Sequence, residues 1–236
     1  MIFKLVTRKG FVVLKNFLRS ALLLALAIAC TGFLSSCNIL GPAAFIIDGM
    51  PKRDAQYALM DRPTVVFVDD PRNALSDRNL RRYIGDKVAT QLMLNKIVTV
   101  TISSADAMGV ARGDRHGKRM PIEAIGRAVG AEQVLYIEMM SFTLSPDNVT
   151  PQPIGICKIK VIDAMNRIRL FPEMDENSQA AAAYPVHVAL PRLSTELYRS
   201  ASGRRKMNEQ LASHMADQIA KVFYKHVPNE LGSRLK

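Results

Sequence analysis

The chain has 236 residues, 48% of them hydrophobic and 22% charged. That balance can bury a core and excludes a disordered chain, a collagen-like fibre or a coiled coil along the whole length. Lys and Arg outnumber Asp and Glu by 32 to 21, yet five of the cations (Lys4, Arg8, Lys9, Lys15 and Arg19) precede the first acidic residue, Asp48. Setting those five aside leaves 27 against 21, a modest excess that suits an anionic membrane surface and argues little for nucleic acid.

The basic stretch leads into an apolar run, Ala21 to Cys30, and then into Leu34-Ser35-Ser36-Cys37. A basic start, a short apolar segment and small residues before a cleavage point make an export signal. The run is shorter than the about 20 residues that span a bilayer. Its end resembles the lipobox of bacterial lipoproteins. The resemblance implies cleavage between Ser36 and Cys37, a diacylglycerol on the Cys37 thiol and acylation of the new amino group. Several acyl chains anchor firmly where one binds only marginally. Asn38, where inner-membrane lipoproteins often carry Asp, implies the outer membrane facing the periplasm. Residues 1–36 are therefore read as signal peptide and 37–61 as a lipidated tether broken by Gly41-Pro42, Gly49 and Met50-Pro51.

Thr64 to Val68 is a β-branched and aromatic run that predicts a strand buried on both faces. Ser76 or Asp77 can cap the next helix, whose inner face is Leu80, Ile84, Val88 and Leu92, with Tyr83 at its margin. Ile97 to Ile102 reads as a second strand. Residues 103–120, with three glycines and many cations, read as a loop. Pro121 opens a short helix, Ile122 to Val129, and Gly130 follows as its terminator. Gln133 to Leu144 and Ile154 to Ala164 read as a long antiparallel hairpin turned at 148–153. Cys157, Ile159 and Val161 share one face of its second strand. Residues 172–183 read as a loop and Tyr184 to Leu190 as a strand. Residues 193–203 are ambiguous between helix and strand. Met207, Leu211, Met215, Ile219, Val222 and Phe223 form the stripe of a last helix, with Pro228 stopping it. The order β-α-β-α-β-β-β-α predicts a single layered α/β domain over 62–228, a mixed sheet covered by helices, with 229–236 as a tail.

The segment Ile125-Gly126-Arg127-Ala128-Val129-Gly130-Ala131-Glu132-Gln133-Val134-Leu135-Tyr136-Ile137-Glu138 resembles the helix, glycine-alanine-acid turn and apolar strand of the curli-secretion lipoprotein family (CsgG-like). The TolB amino-terminal domain and small YajG-type lipoproteins are related. Thr64 to Asp70 is similar to that family's opening strand, and Lys160 to Ala164 to its strand ending in aspartate and a small residue. Met165-Asn166-Arg167 stands where the family has a Thr-Gly turn. The resemblance implies a non-enzymatic lipoprotein of the envelope, an interaction domain in assembly or transport. Its alternative implication is an oligomeric outer-membrane secretion channel. Pore-forming members insert two amphipathic hairpins, and a barrel strand needs about 9–11 alternating residues. Four such segments are not found here.

Composition offers little chemistry. Cys30, Cys37 and Cys157 cannot make a disulfide framework, and His116, His187, His214 and His226 have no ligand-like spacing. No Gly-x-Ser-x-Gly elbow and no P-loop ending is present. No catalytic, cofactor-binding or metal residue is assigned, and a periplasmic enzyme is the least supported reading. The basic segment holding Arg112, Arg115, Lys118 and Arg119 is the candidate contact for an anionic surface, through phosphate groups. The partners expected are membrane lipid through Cys37 and envelope proteins, without nucleic acid. Self-association into a homo-oligomer is left open.

Overall fold

The computed structural model describes residues 52–112, 119–173 and 183–228. Residues 1–51, with the expected signal peptide, Ser36, Cys37 and most of the expected tether, lie outside these residues. So do Arg115, Lys118, His116, most of the 172–183 loop and the tail.

Strand β1 (Thr64–Asp69) lies inside the sheet, one place from its edge, and its first five residues are buried. It runs parallel to β2 (Thr101–Ile102) on one side and to β3 (Gln133–Thr143) on the other. The expected hairpin forms: β3 pairs antiparallel with β4 (Ile154–Asp163), with a bulge between Met139 and Ser141. Asp147 shapes its turn by accepting bonds from the amides of Val149 and Thr150, and Asn148 takes a positive φ. The far edge of β4 is shared by β5 (Ile168–Phe171) near its end and β6 (Tyr184–Ala189) near its start. The result is a six-stranded mixed sheet.

Both faces are covered. Helix α1 (Arg78–Leu94) buries Leu80, Ile84, Val88 and Leu92 as its spacing requires, and Asp77 caps it by accepting from the Asn79 amide. It packs beside the long helix α5 (Ala201–Lys221), whose Met207, Leu211, Met215 and Ile219 are fully buried. These helices share one core with Val66, Val68, Leu135, Ile137, Cys157, Ile159 and Val161. Helices α2 (Ser104–Arg112) and α3 (Ile122–Ala128) cover Val65, Phe67, Val134 and Tyr136 on the opposite face. Period-two alternation thus divides each central strand between two cores, which is why β1 reads as continuously apolar. The fold is the α/β class expected.

Several elements differ from the reading of the sequence. Ile97 to Ile102 contributes only two paired residues, because the Asp61 carboxylate takes the Thr99 amide (2.7 Å) and hydroxyl (2.7 Å) in place of a ladder. The stretch 103–120 is not all loop. Ser103 accepts from the Ala105 amide at the start of α2, and Ala107 and Met108 bury themselves on the sheet. Gly109 is tolerated inside α2 because burial outweighs its poor propensity. Strand β5 was not anticipated; it is a four-residue edge strand following the Asp163 turn. Tyr83 is exposed rather than in the core, with the Lys87 ammonium 5.8 Å from its ring centre. The ambiguous 193–203 region is helix α4 (Thr195–Arg199) followed by the first turn of α5. Ser194 caps α4 and Ser200 caps α5. Helix α5 stops at Lys221, well before Pro228. There the chain turns to pair Val222 with Gln56 and His226 with Arg53. Residues 53–61, read as tether, therefore lie on the domain: Leu59 is buried, and Tyr57 stacks 5.2 Å from Phe171. Among the described residues, no helix is long and apolar enough to cross a membrane.

Candidate functional site

The chain leaves β1 through α1 to reach β2 over one face of the sheet, then leaves β2 through α2 and α3 to reach β3 over the other, so β1 and β3 flank the point where the winding reverses. A crevice forms outside the carboxyl end of a parallel strand at such a point. Here it is a cleft of about 670 Å³. Phe67, Met108, Ile122 and Ile125 supply apolar walls, and Asp69, Arg81, Arg112, Arg119 and Tyr136 supply polar ones.

Asp69 is the electrostatic centre. The Tyr136 hydroxyl donates to its Oδ2 (3.0 Å). Arg81 reaches its Oδ1 (3.4 Å) from α1, and Arg119 lies 3.7 Å from Oδ2. Arg81 also donates through Nε and Nη2 to the Val68 carbonyl (3.3 and 3.2 Å), which fixes its side chain against the strand end. Asp70 turns the other way. It is buried and accepts from the amides of Ala74 (2.7 Å) and Leu75 (3.0 Å), holding the loop that shapes the rim. Burial raises the Tyr136 pKa above its ordinary 10.0, reinforced by the negative charges of Asp69 and Glu138 and opposed by Arg119. The phenol is therefore a neutral hydrogen-bond donor and no base.

Arg112 and Arg119, two of the four candidate cations, come to this one cleft, Arg112 at the end of α2 and Arg119 on the approach to α3. Arg119 spends part of its charge on Asp69. Arg115 and Lys118 fall between them in sequence, outside the described residues. Asp69, Arg81 and Tyr136 were not singled out from the sequence. The available signal was Asp69-Asp70 closing a buried strand, since ligands gather at such ends; the Tyr136 contact crosses 67 positions and leaves no local trace.

The arrangement can hold a ligand that joins an apolar body to an anionic group. The Asp69 carboxylate accepts from Tyr136 and Arg81 and forms an ion pair with Arg119. Cys157 is buried in the other core, and burial pushes its thiol up to about 12. Among the described residues, no three His, Cys, Asp or Glu side chains gather as a metal site.

No protein-family model and no curated protein matches the chain. Its fold is similar to several solved bacterial structures. A DUF330 protein from Xanthomonas campestris is 9% identical, with 72% of this chain and 86% of that one covered and a TM-score of 0.43. A PelC dodecamer from Paraburkholderia phytofirmans is 15% identical, with 73% and 94% covered and a TM-score of 0.38. Lipoprotein GNA1162 from Neisseria meningitidis is 19% identical, with 67% and 96% covered and a TM-score of 0.33.

Proposed function

We propose that the chain is a non-enzymatic, lipid-anchored protein of the bacterial envelope, whose α/β domain is a tethered interaction module in envelope assembly or transport. The observation that carries this reading is the order of the first 37 residues: five cations with no acid, a ten-residue apolar run, and Leu34-Ser35-Ser36 directly before Cys37. Each part has a physical role. The cations stay on the cytoplasmic side, the apolar run enters the bilayer, and the small residues admit a peptidase. Acyl chains on Cys37 then hold the domain at a surface, where confinement raises its effective concentration for envelope partners. Asn38 favours the outer membrane. The Asp69 cleft supports binding rather than turnover, because its carboxylate is engaged by Tyr136, Arg81 and Arg119 beside an apolar floor while Arg112 stands at its rim for an anionic group.

The test is fractionation of cells expressing the wild-type chain and Cys37→Ala. The wild type is expected in the membrane fraction, released by detergent and not by high salt. Cys37→Ala is expected as a slower-migrating, unprocessed precursor. Wild-type protein released by salt alone, or identical migration of the two, would contradict the proposal.

A further inference from the structure

Large apolar side chains exposed singly are ordinary on a soluble surface; their gathering in one place is not. Among the described residues eight are exposed: Met60, Tyr83, Met93, Leu94, Val100, Val149, Met165 and Ile168. Six of them stand at one end of the sheet. The register sets Thr101, Thr64, Gln133 and Asp163 at one level, with Ile168 opposite Asp163. Val100 immediately precedes that level, Met60 lies four residues before Thr64, and Met165 sits in the turn beyond Asp163. Met93 and Leu94 close α1 at the same end, where the Thr101 hydroxyl lies 3.1 Å from the Met93 sulfur. From β2 to β5 this edge crosses four strand spacings, about 19 Å. Exposure is high across it, at 70% for Leu94, 61% for Met165 and 52% for Ile168.

Two cations stand among these apolar side chains. Lys96 and Arg167 occupy turn tips with φ of 56° and 58°, and both are exposed. Neither makes an ion pair among the described residues. Of the acids nearby, Asp163 is buried against Arg62, whereas Asp61, bonded to Thr99, and Glu132 are exposed, so the cations and anions of this end are nearly balanced. Apolar side chains gathered with outward-facing Lys and Arg can enter the headgroup region of a bilayer, where the apolar area gives most of the attraction and the cations reach lipid phosphates.

The chain's path supplies the occupant. Arg53 pairs with His226 just past α5, and Gln56 donates to Val222, so the segment leading from Cys37 joins the domain at this end. Sixteen residues from Cys37 to Arg53 reach at most about 55 Å, and less if not fully extended. We infer that the end bearing Met60, Met93, Leu94, Val100, Met165 and Ile168 is a membrane-docking surface, resting in the headgroups of the bilayer that holds the acyl chains. This inference rests on the lipid-anchor reading. It turns a loosely held domain into an oriented one, with the Asp69 cleft at the opposite end of β1, facing away from the lipid.

The test uses the full lipidated chain in vesicles of phosphatidylethanolamine and phosphatidylglycerol. Leu94→Cys, Met165→Cys and, at the far end, Val149→Cys carry an environment-sensitive dye; Cys157 is too buried to label. The dyes at 94 and 165 are expected to shift to the blue and lose emission to a lipid-borne quencher, and the dye at 149 to do neither. Flotation of the same vesicles reads the anchor independently. Protein that floats with all three dyes unquenched overturns the docking surface and leaves the anchor standing. Protein that does not float overturns both. Dyes at 94 and 165 shielded from a water-soluble quencher yet untouched by the lipid-borne one would mean that a second copy covers this end, and would overturn the inference as well.

Discussion

The Asp163 carboxylate accepts four hydrogen bonds at the end of β4. Its Oδ1 accepts from the amides of Met165 (2.9 Å) and Asn166 (2.8 Å), and its Oδ2 from Asn166 Nδ2 (3.0 Å) and Arg62 Nη1 (2.9 Å). One carboxylate therefore closes the β4–β5 turn and ties it to the segment before β1. Burial alone would raise its pKa, but these donors outweigh burial and hold it below the ordinary 3.8. A depressed folded-state pKa stabilises above the unfolded value and ceases to as pH falls through the folded value. Asp163→Asn is expected to lose about 1–3 kcal/mol at pH 7, as for a well-satisfied charged acceptor. Denaturant titrations should show that gap shrinking below about pH 4 as the wild-type carboxylate protonates. A gap independent of pH would mean that packing, not charge, sets the cost. In the sequence, Asp163 was visible only as the end of a strand. Its partner Arg62 lies 101 positions away, a distance that periodicity does not bridge. Cys157 is the contrary case: alternation with Ile159 and Val161 placed it in a core directly, because a strand's two faces are fixed by its period of two.

Elements were legible where burial is periodic and obscured where side chains override it. Helix α1, the β3–β4 hairpin and the buried stripe of α5 follow from spacing alone. The second strand is short because Asp61 competes for its backbone, and α2 is hard to see among glycines and cations because its buried side has only two apolar residues, Ala107 and Met108, beside Ser104. Helix α3 shows how closely an element can be pressed to the sheet. A Cβ on Gly126 would lie 2.9 Å from the Ala164 Cβ and closer still to Val134 Cγ2, so a side chain there must push the helix off the strands. Gly130, with φ of 77°, then turns the chain into β3. Gly126→Val is expected to destabilise by about 1–3 kcal/mol through overpacking. Leu211→Ala, in the α5 stripe, should cost about 2–5 kcal/mol through the cavity it leaves. Equilibrium unfolding measures both, and a neutral Gly126→Val would show that α3 floats free of the sheet.

For the whole molecule, the sequence established the class, a mixed sheet between helices, more fully than it established the site. Strand order and the two-sided crossover that opens the Asp69 cleft are non-local, and so is the assembly of six exposed apolar residues at one end. Both become visible only once register aligns Thr64, Thr101, Gln133 and Asp163. Individual cations then take on a place. Arg112 and Arg119 lie at the cleft, while Lys96 and Arg167 lie at the end proposed to meet lipid. The two groups of cations would act on different partners, and screening by salt should weaken the attraction of each to anions.

Everything about orientation depends on the acyl anchor, and the mass of the mature amino terminus tests it most directly. Protein extracted from membranes with detergent would be digested and its first peptide weighed and fragmented. The account predicts a peptide that starts at Cys37, with a diacylglyceryl group on sulfur and a further acyl chain on the amino group. A peptide that starts elsewhere, or one that starts at Cys37 with a free thiol and a free amine, would contradict it.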